Sequence, residues 1–348
     1  MRARPGASRA QEPDRAHHPF TRRDALRLAM ALAPASCAPS APPPATRPVP
    51  PELHVSPLVD IIPAAGLEWL VDARPADLWA NRVTHHVATT LVPTARFDAF
   101  AAGHGGVDLR QAREFVAAGF EASSLALVST PIVPERLEAA FASRALTVEG
   151  RSVDHGVTRV WGKRGDEAAG EQLAIFGEQA VGWERGRSGI LRVAVLFAEG
   201  RLRRALAALK AEPLASAATE IGDGPIRVFA PGPFEGEFAG GLGGLLRATT
   251  AVAATIRPRA QAELLCHIAL MGAWGQDAPA AADRLSAVFE TLALDPIGRL
   301  MGIDRPLSGP HSWSQGGTIR LEVSLDANAV ARGLHAATGA TVEEMMAY

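Results

Sequence analysis

Thr318-Ile319-Arg320-Leu321-Glu322-Val323-Ser324-Leu325 alternates polar and apolar residues without a break. That period of two is the signature of a β-strand with one face on a core and the other toward polar surroundings. Working outward, residues 123–130, 156–162, 172–177 and 226–230 carry shorter strand signals, and the apolar run 262–273 reads as a central strand. Asp154-His155-Gly156 sits between two strand-like runs and reads as a hairpin turn.

Helical periodicity is interleaved with these strands. Leu191, Ala194, Val195, Ala198, Leu202, Ala205, Leu206 and Leu209 recur at helical spacing and predict one long amphipathic helix. Leu285, Val288, Phe289 and Leu292 form a second stripe. Asp108 before Leu109-Arg110-Gln111 reads as the cap of a helix ending near Gly119, and Thr341 with Glu344 repeats the pattern near the C-terminus. Hairpin strands mixed with helices predict an α+β fold, a largely antiparallel sheet packed by amphipathic helices. Residues 123–210 and 260–337 share a strand, helix, strand, helix order. They suggest two diverged β-α-β-α halves, 59–235 and 236–348, with 232–244 as the joint.

The N-terminus carries a different kind of information. Thr21-Arg22-Arg23-Asp24-Ala25-Leu26-Arg27 resembles the twin-arginine export motif, with Ala25 where phenylalanine is usual. A short apolar stretch follows at 28–33, then Pro34-Ala35-Ser36-Cys37, which resembles a lipobox with proline in place of leucine. The apolar stretch is far shorter than the roughly 20 residues that span a bilayer. The reading is therefore a signal peptide over 1–37, with Arg22 and Arg23 as the export motif and Cys37 as the lipidation site. Ala38 rather than aspartate after the cysteine favours the outer membrane over the inner one. Residues 38–58 read as a Pro/Ala-rich tether, stiffened by Pro42-Pro43-Pro44 and Pro50-Pro51.

These stretches, together with Gln172-Leu173-Ala174-Ile175-Phe176-Gly177 and Val181-Gly182, resemble an uncharacterised family of predicted bacterial lipoproteins of the myxobacterial type. The resemblance implies an anchored α+β body and brings no activity with it.

Charge narrows the partners. Only Lys163 and Lys210 are lysines, so the arginine content follows codon bias and is discounted as a signal. Past residue 37 the chain holds 28 basic and 34 acidic residues, a net charge of −6, which disfavours a nucleic-acid partner. The expected partners are the membrane, through the anchor, and an envelope protein.

Candidate chemistry is sparse. His104-Gly105-Gly106-Val107-Asp108 could supply two metal ligands, but a glycine turn capped by Asp108 accounts for every residue except His104. His85-His86 and Cys266-His267, read as strand neighbours, point to opposite faces and cannot grip one ion. Gly240-Gly241-Leu242-Gly243-Gly244 lacks the ending of a phosphate loop and reads as a joint before a helix near Leu245. No nucleophile elbow occurs. The sequence thus assigns no catalytic residue, cofactor or metal. Its leading reading is a non-enzymatic envelope lipoprotein with a binding or assembly role. A carrier of an apolar ligand such as lipid and an envelope hydrolase are the alternatives.

Overall fold

The structure is a computed structural model that describes residues 53–164, 170–186, 188–202, 204–259, 262–296, 298 and 301–337. Arg22, Arg23, Cys37, Thr341 and Glu344 lie outside the described residues. Those described belong to one compact unit.

The strands are β1 (Leu67–Ala73), β2 (Glu114–Phe120), β3 (Ser123–Ser129), β4 (Thr147–Asp154), β5 (Val157–Lys163), β6 (Gly170–Phe176), β7 (Ala180–Gly186), β8 (Ile226–Pro231), β9 (Thr249–Pro258), β10 (Glu263–Gly272), β11 (His311–Gln315) and β12 (Thr318–Asp326). They form one 12-stranded sheet in the order β11-β12-β10-β9-β8-β1-β2-β3-β7-β6-β5-β4. Every neighbouring pair is antiparallel. The fold is α+β. β12 buries Ile319, Leu321 and Val323 as its alternation demands.

Helices cover both faces. On the first face, α5 (Ile190–Ala198) and α6 (Leu214–Ile221) pack with the 55–62 segment over Leu70, Leu125, Phe176 and Phe229. On the second face, α3 (Thr94–Gly103) and α4 (Pro134–Arg144) place Phe100, Leu137 and Phe141 against Leu173, Ile175 and Trp183. Farther along that face, α7 (Ala278–Leu294) packs Leu285 on Leu270, Ile319 and Leu321. α2 (Arg82–Leu91) and α8 (Ala327–Ala337) meet over Leu264 and Val323. The short α1 (Pro75–Ala80) leads into α2, whose cap Asn81 accepts from Val83 N and Thr84 N.

Four expectations are corrected. The long helix after Leu191 stops at Ala198. Gly200 takes φ +66°, and the Gly200 and Arg201 amides close back on Phe197 and Leu196, a Schellman ending that overrides the downstream leucine spacing. Leu206 is left exposed.

The helix expected from Asp108 to Gly119 is a single 3₁₀ turn, Leu109–Gln111, followed by β2. Arg113 N already bonds Ser129 O, so the chain has joined the sheet ladder before a second turn can form. His85-His86 lies in α2, not in a strand, and both rings are exposed.

The hairpin turn is as expected: His155 and Gly156 both have positive φ between β4 and β5, the geometry that two-residue hairpins favour. Residues 232–244 connect the sheet neighbours β8 and β9. The helix expected near Leu245 is instead a pair of short 3₁₀ turns within Leu242–Ala248, broken by positive φ at Gly243 and Gly244, and it leads directly into β9.

Candidate functional site

The chemistry concentrates on the second face, where α3 ends against the β3–β7–β6 strands. Register places Ser124, Arg185 and Glu171 in one row across β3, β7 and β6, with Ala126, Trp183 and Leu173 in the next. Alternation points both rows at α3 and α4 rather than at the first-face core. Phe100, His104, Ser124, Glu171, Trp183 and Arg185, with Arg164 just past β5, line a half-open cleft of about 30 Å³. One water needs roughly 10–15 Å³ on that measure, whereas whole drug-sized ligands occupy several hundred. Only a head group fits.

His104 is 5% exposed. Its ring stacks on Phe100 with centroids 3.9 Å apart and stands edge-on to Trp183 at 5.8 Å. Nδ1 lies 2.9 Å from the Phe100 carbonyl oxygen. A carbonyl only accepts, so Nδ1 carries the proton and Nε2 keeps its lone pair. Burial lowers the His104 pKa to about 4, with help from the positive charges of Arg144, Arg164 and Arg185.

The turn that presents His104 depends on Gly105. Its φ is +66°, and a Cβ there would stand 2.8 Å from the Arg136 carbonyl group in α4. Gly105→Ala should therefore cost about 2 kcal/mol of stability and disturb the His104 ring, through left-handed strain plus a backbone collision. Chemical denaturation checks it; a variant as stable as wild type would mean that α4 yields freely.

Glu171 is 7% exposed, and its Oε1 lies 3.9 Å from Arg144 Nη2. Arg144 also donates through Nη1 to the Gly103 carbonyl, tying α4 to the end of α3. Among the described residues, neither Arg164 nor Arg185 has an ion-pair partner within 4 Å. The Trp183 indole N–H is buried and finds no hydrogen-bond partner among them.

His104 and Asp108 do not converge on a metal. Asp108 caps the 3₁₀ turn through Arg110 N at 3.0 Å and pairs with the Arg110 guanidinium. Burial alone would raise its carboxyl; the Arg110 hydrogen bonds outweigh that and hold it below the usual carboxylate range. Among the described residues, no group of three or more His, Cys, Asp or Glu side chains is arranged to hold a metal ion.

Cys266 and His267 do point to opposite faces of β10. Cys266 packs in the second-face core, where burial pushes its thiol up to about 11, and His267 lies against Trp313 at 6.0 Å. His85 sits at 4.8 Å from the Trp79 ring and is not among the residues that line the cleft.

Comparison of the chain with protein-family models, with curated proteins and with solved structures finds no match. Of the cleft residues, the sequence points to His104 alone. Arg164, Glu171, Trp183 and Arg185 lie 60–81 positions downstream, and only the pairing of β3, β6 and β7 brings them together.

Proposed function

We propose that this chain is a lipid-anchored extracytoplasmic protein whose folded body binds a ligand or an envelope partner rather than turning over a substrate. The observation that carries the binding reading is the cleft. Among the described residues, two arginines there have no ion-pair partner and an indole N–H has no acceptor, and both meet a neutral histidine. A general base works best with a pKa near the working pH. His104, lowered to about 4, is a feeble base at neutral pH, and its ring bonds a backbone carbonyl rather than a nucleophile.

The apolar-carrier alternative needs a void of several hundred Å³ lined by hydrocarbon. Two larger clefts among the described residues, of about 320 and 380 Å³, carry Arg159, Arg192 and Glu199 in one and Arg74, Asp77 and Arg257 in the other. Polar linings of that kind favour a polar ligand.

The location rests on the order Arg22-Arg23, apolar stretch, Cys37 and Pro-rich tether. No helix among the described residues is long and apolar enough to cross a membrane. Fractionation and intact mass of wild type and Cys37→Ala test the anchor. Wild type should sit in the membrane, preferentially the outer one, cleaved before Cys37 and carrying a diacylglycerol mass, while Cys37→Ala is released. A full-length, unmodified wild type in the cytoplasm would overturn the location.

We also infer that the sheet is a duplicated unit. β1-β2-β3-β7-β6 and β8-β9-β10-β12-β11 run in the same spatial order and meet through the antiparallel β1–β8 pair. In both, a second-face helix, α4 or α7, follows the third strand. On that reading the joint falls before β8 rather than at 232–244. Superposing the two strand sets should bring α4 onto α7, and the idea ends if the helices land apart.

A further inference from the structure

The cleft that supports the binding reading also specifies what it binds. Its charge does not balance. Glu171 faces Arg144, its ion-pair neighbour at 3.9 Å, which leaves Arg164 and Arg185 lining the same small space without a carboxylate within 4 Å among the described residues. Two guanidiniums lining one small, partly desolvated cleft repel each other, and an oxyanion held by both relieves that repulsion through charge-assisted, frequently bidentate hydrogen bonds.

A second, independent observation points the same way. Trp183 is 7% exposed, lines the cleft, and its Nε1–H has no acceptor among the described residues. An indole nitrogen can only donate, and a buried donor without a partner is costly. Ser124 adds a hydroxyl that can donate or accept. The lining is thus rich in donors, and the about 30 Å³ of space admits a head group and no more.

We propose that the cleft binds the oxyanion head group of a ligand, carboxylate or phosphate, with Arg164 and Arg185 supplying the charge, Trp183 an indole N–H, and the remainder of the ligand outside. This rests on the binding reading of the folded body and is independent of the anchor. Wall contacts set the orientation: Phe100 and the His104 ring form an apolar shelf beneath the head group, and Glu171 rejects a second negative charge on that side.

The test uses the full chain carrying Cys37→Ala, labelled with ¹⁵N at its indole nitrogens and titrated with sodium acetate, sodium phosphate and sodium chloride at matched ionic strength. Trp183 is assigned by loss of its resonance in Trp183→Phe. Acetate or phosphate should shift the Trp183 indole resonance saturably, and Arg164→Met or Arg185→Met should weaken that binding about tenfold or more. Arg185→Lys, which keeps the charge and controls for misfolding, should retain part of it. Tighter binding of acetate identifies a carboxylate source and tighter binding of phosphate a phosphate ester, each within the proposal. A shift that chloride reproduces, that never saturates, or that survives both methionine substitutions would overturn it. Because fractionation reads the anchor separately, loss of the location leaves this result standing, and the reverse also holds.

Discussion

Replacing Glu184 with alanine should cost about 4 kcal/mol of stability, which is close to unfolding for an ordinary domain. The carboxylate is fully buried in β7 on the first face of the sheet. Its two oxygens accept from the first amides of α5, Ile190 N at 3.0 Å and Leu191 N at 2.8 Å. The helix has no side-chain cap of its own because its cap position is Gly189 at φ +68°. Glu184 therefore does from a neighbouring strand what Ser or Asp does locally elsewhere, and its negative charge meets the positive end of the helix dipole. Ser123 Oγ on β3 holds the preceding residue in the same way, accepting from Ser188 N at 2.9 Å.

Alanine would leave two buried amides without acceptors and a void beneath the helix, and each lost charge-assisted bond is worth roughly 1.5–3 kcal/mol. Glu184→Gln keeps the shape and one acceptor oxygen, so its expected cost is about 1–2 kcal/mol. Urea unfolding of both variants makes the comparison. Equal costs would mean that volume rather than the amide acceptors holds α5 down, and a negligible cost for alanine would remove the capping role altogether.

The same residue shows where the sequence is legible and where it is not. β12, β3, β5, β6, β8 and β10 are readable because their β-branched and leucine positions alternate or run together at strand length. β2 and β9 are not. Glu114–Phe120 contains Ala117-Ala118-Gly119, and Thr249–Pro258 contains Ala251, Ala253 and Ala254. Alanine is the best helix former, so local propensity points away from the sheet.

Tertiary packing overrides that preference because these positions sit beneath bulky neighbours. A Cβ on Gly119 would stand 2.0 Å from the Trp69 indole, and Ala251 and Ala253 are fully buried in the first-face core. Small residues are required there by what crosses above them, information that lies far away in the chain. Glu184 and the cleft are illegible for the same reason. A glutamate six residues before a helix is not a recognisable cap, and Arg164, Glu171 and Arg185 look like ordinary surface charges until the strand register aligns them. The fold class is written in local periodicity; the site is written in register.

The second large effect is acid sensitivity through His104. Its pKa in the folded protein is about 4, against 6.5 for the free side chain. Between those two values the unfolded chain binds a proton that the folded chain refuses, so stability rises with pH across the window and falls as acid is added. Above 6.5 both states are neutral and the residue contributes no slope; below 4 both are charged and the loss is complete. The full loss is about 3 kcal/mol, because a tenfold difference in proton affinity between the two states is worth about 1.4 kcal/mol.

Burial is the leading cause, and the positive charges of Arg144, Arg164 and Arg185 add to it, while the hydrogen bond to Phe100 O works against it. His104→Phe keeps a ring against Phe100 and Trp183, loses one hydrogen bond worth about 1 kcal/mol, and removes the titration. Wild type should therefore be the more stable near pH 7 and lose that advantage on acidification, becoming the less stable of the two near pH 4. The denaturation curves of the pair, taken from pH 7 to pH 4, should cross. Parallel curves would mean that the folded protein protonates His104 as readily as the unfolded chain does. An oxyanion in the cleft adds a further sign: negative charge beside the ring favours the imidazolium, so saturating acetate should raise the His104 pKa and narrow the acid-sensitive window from below.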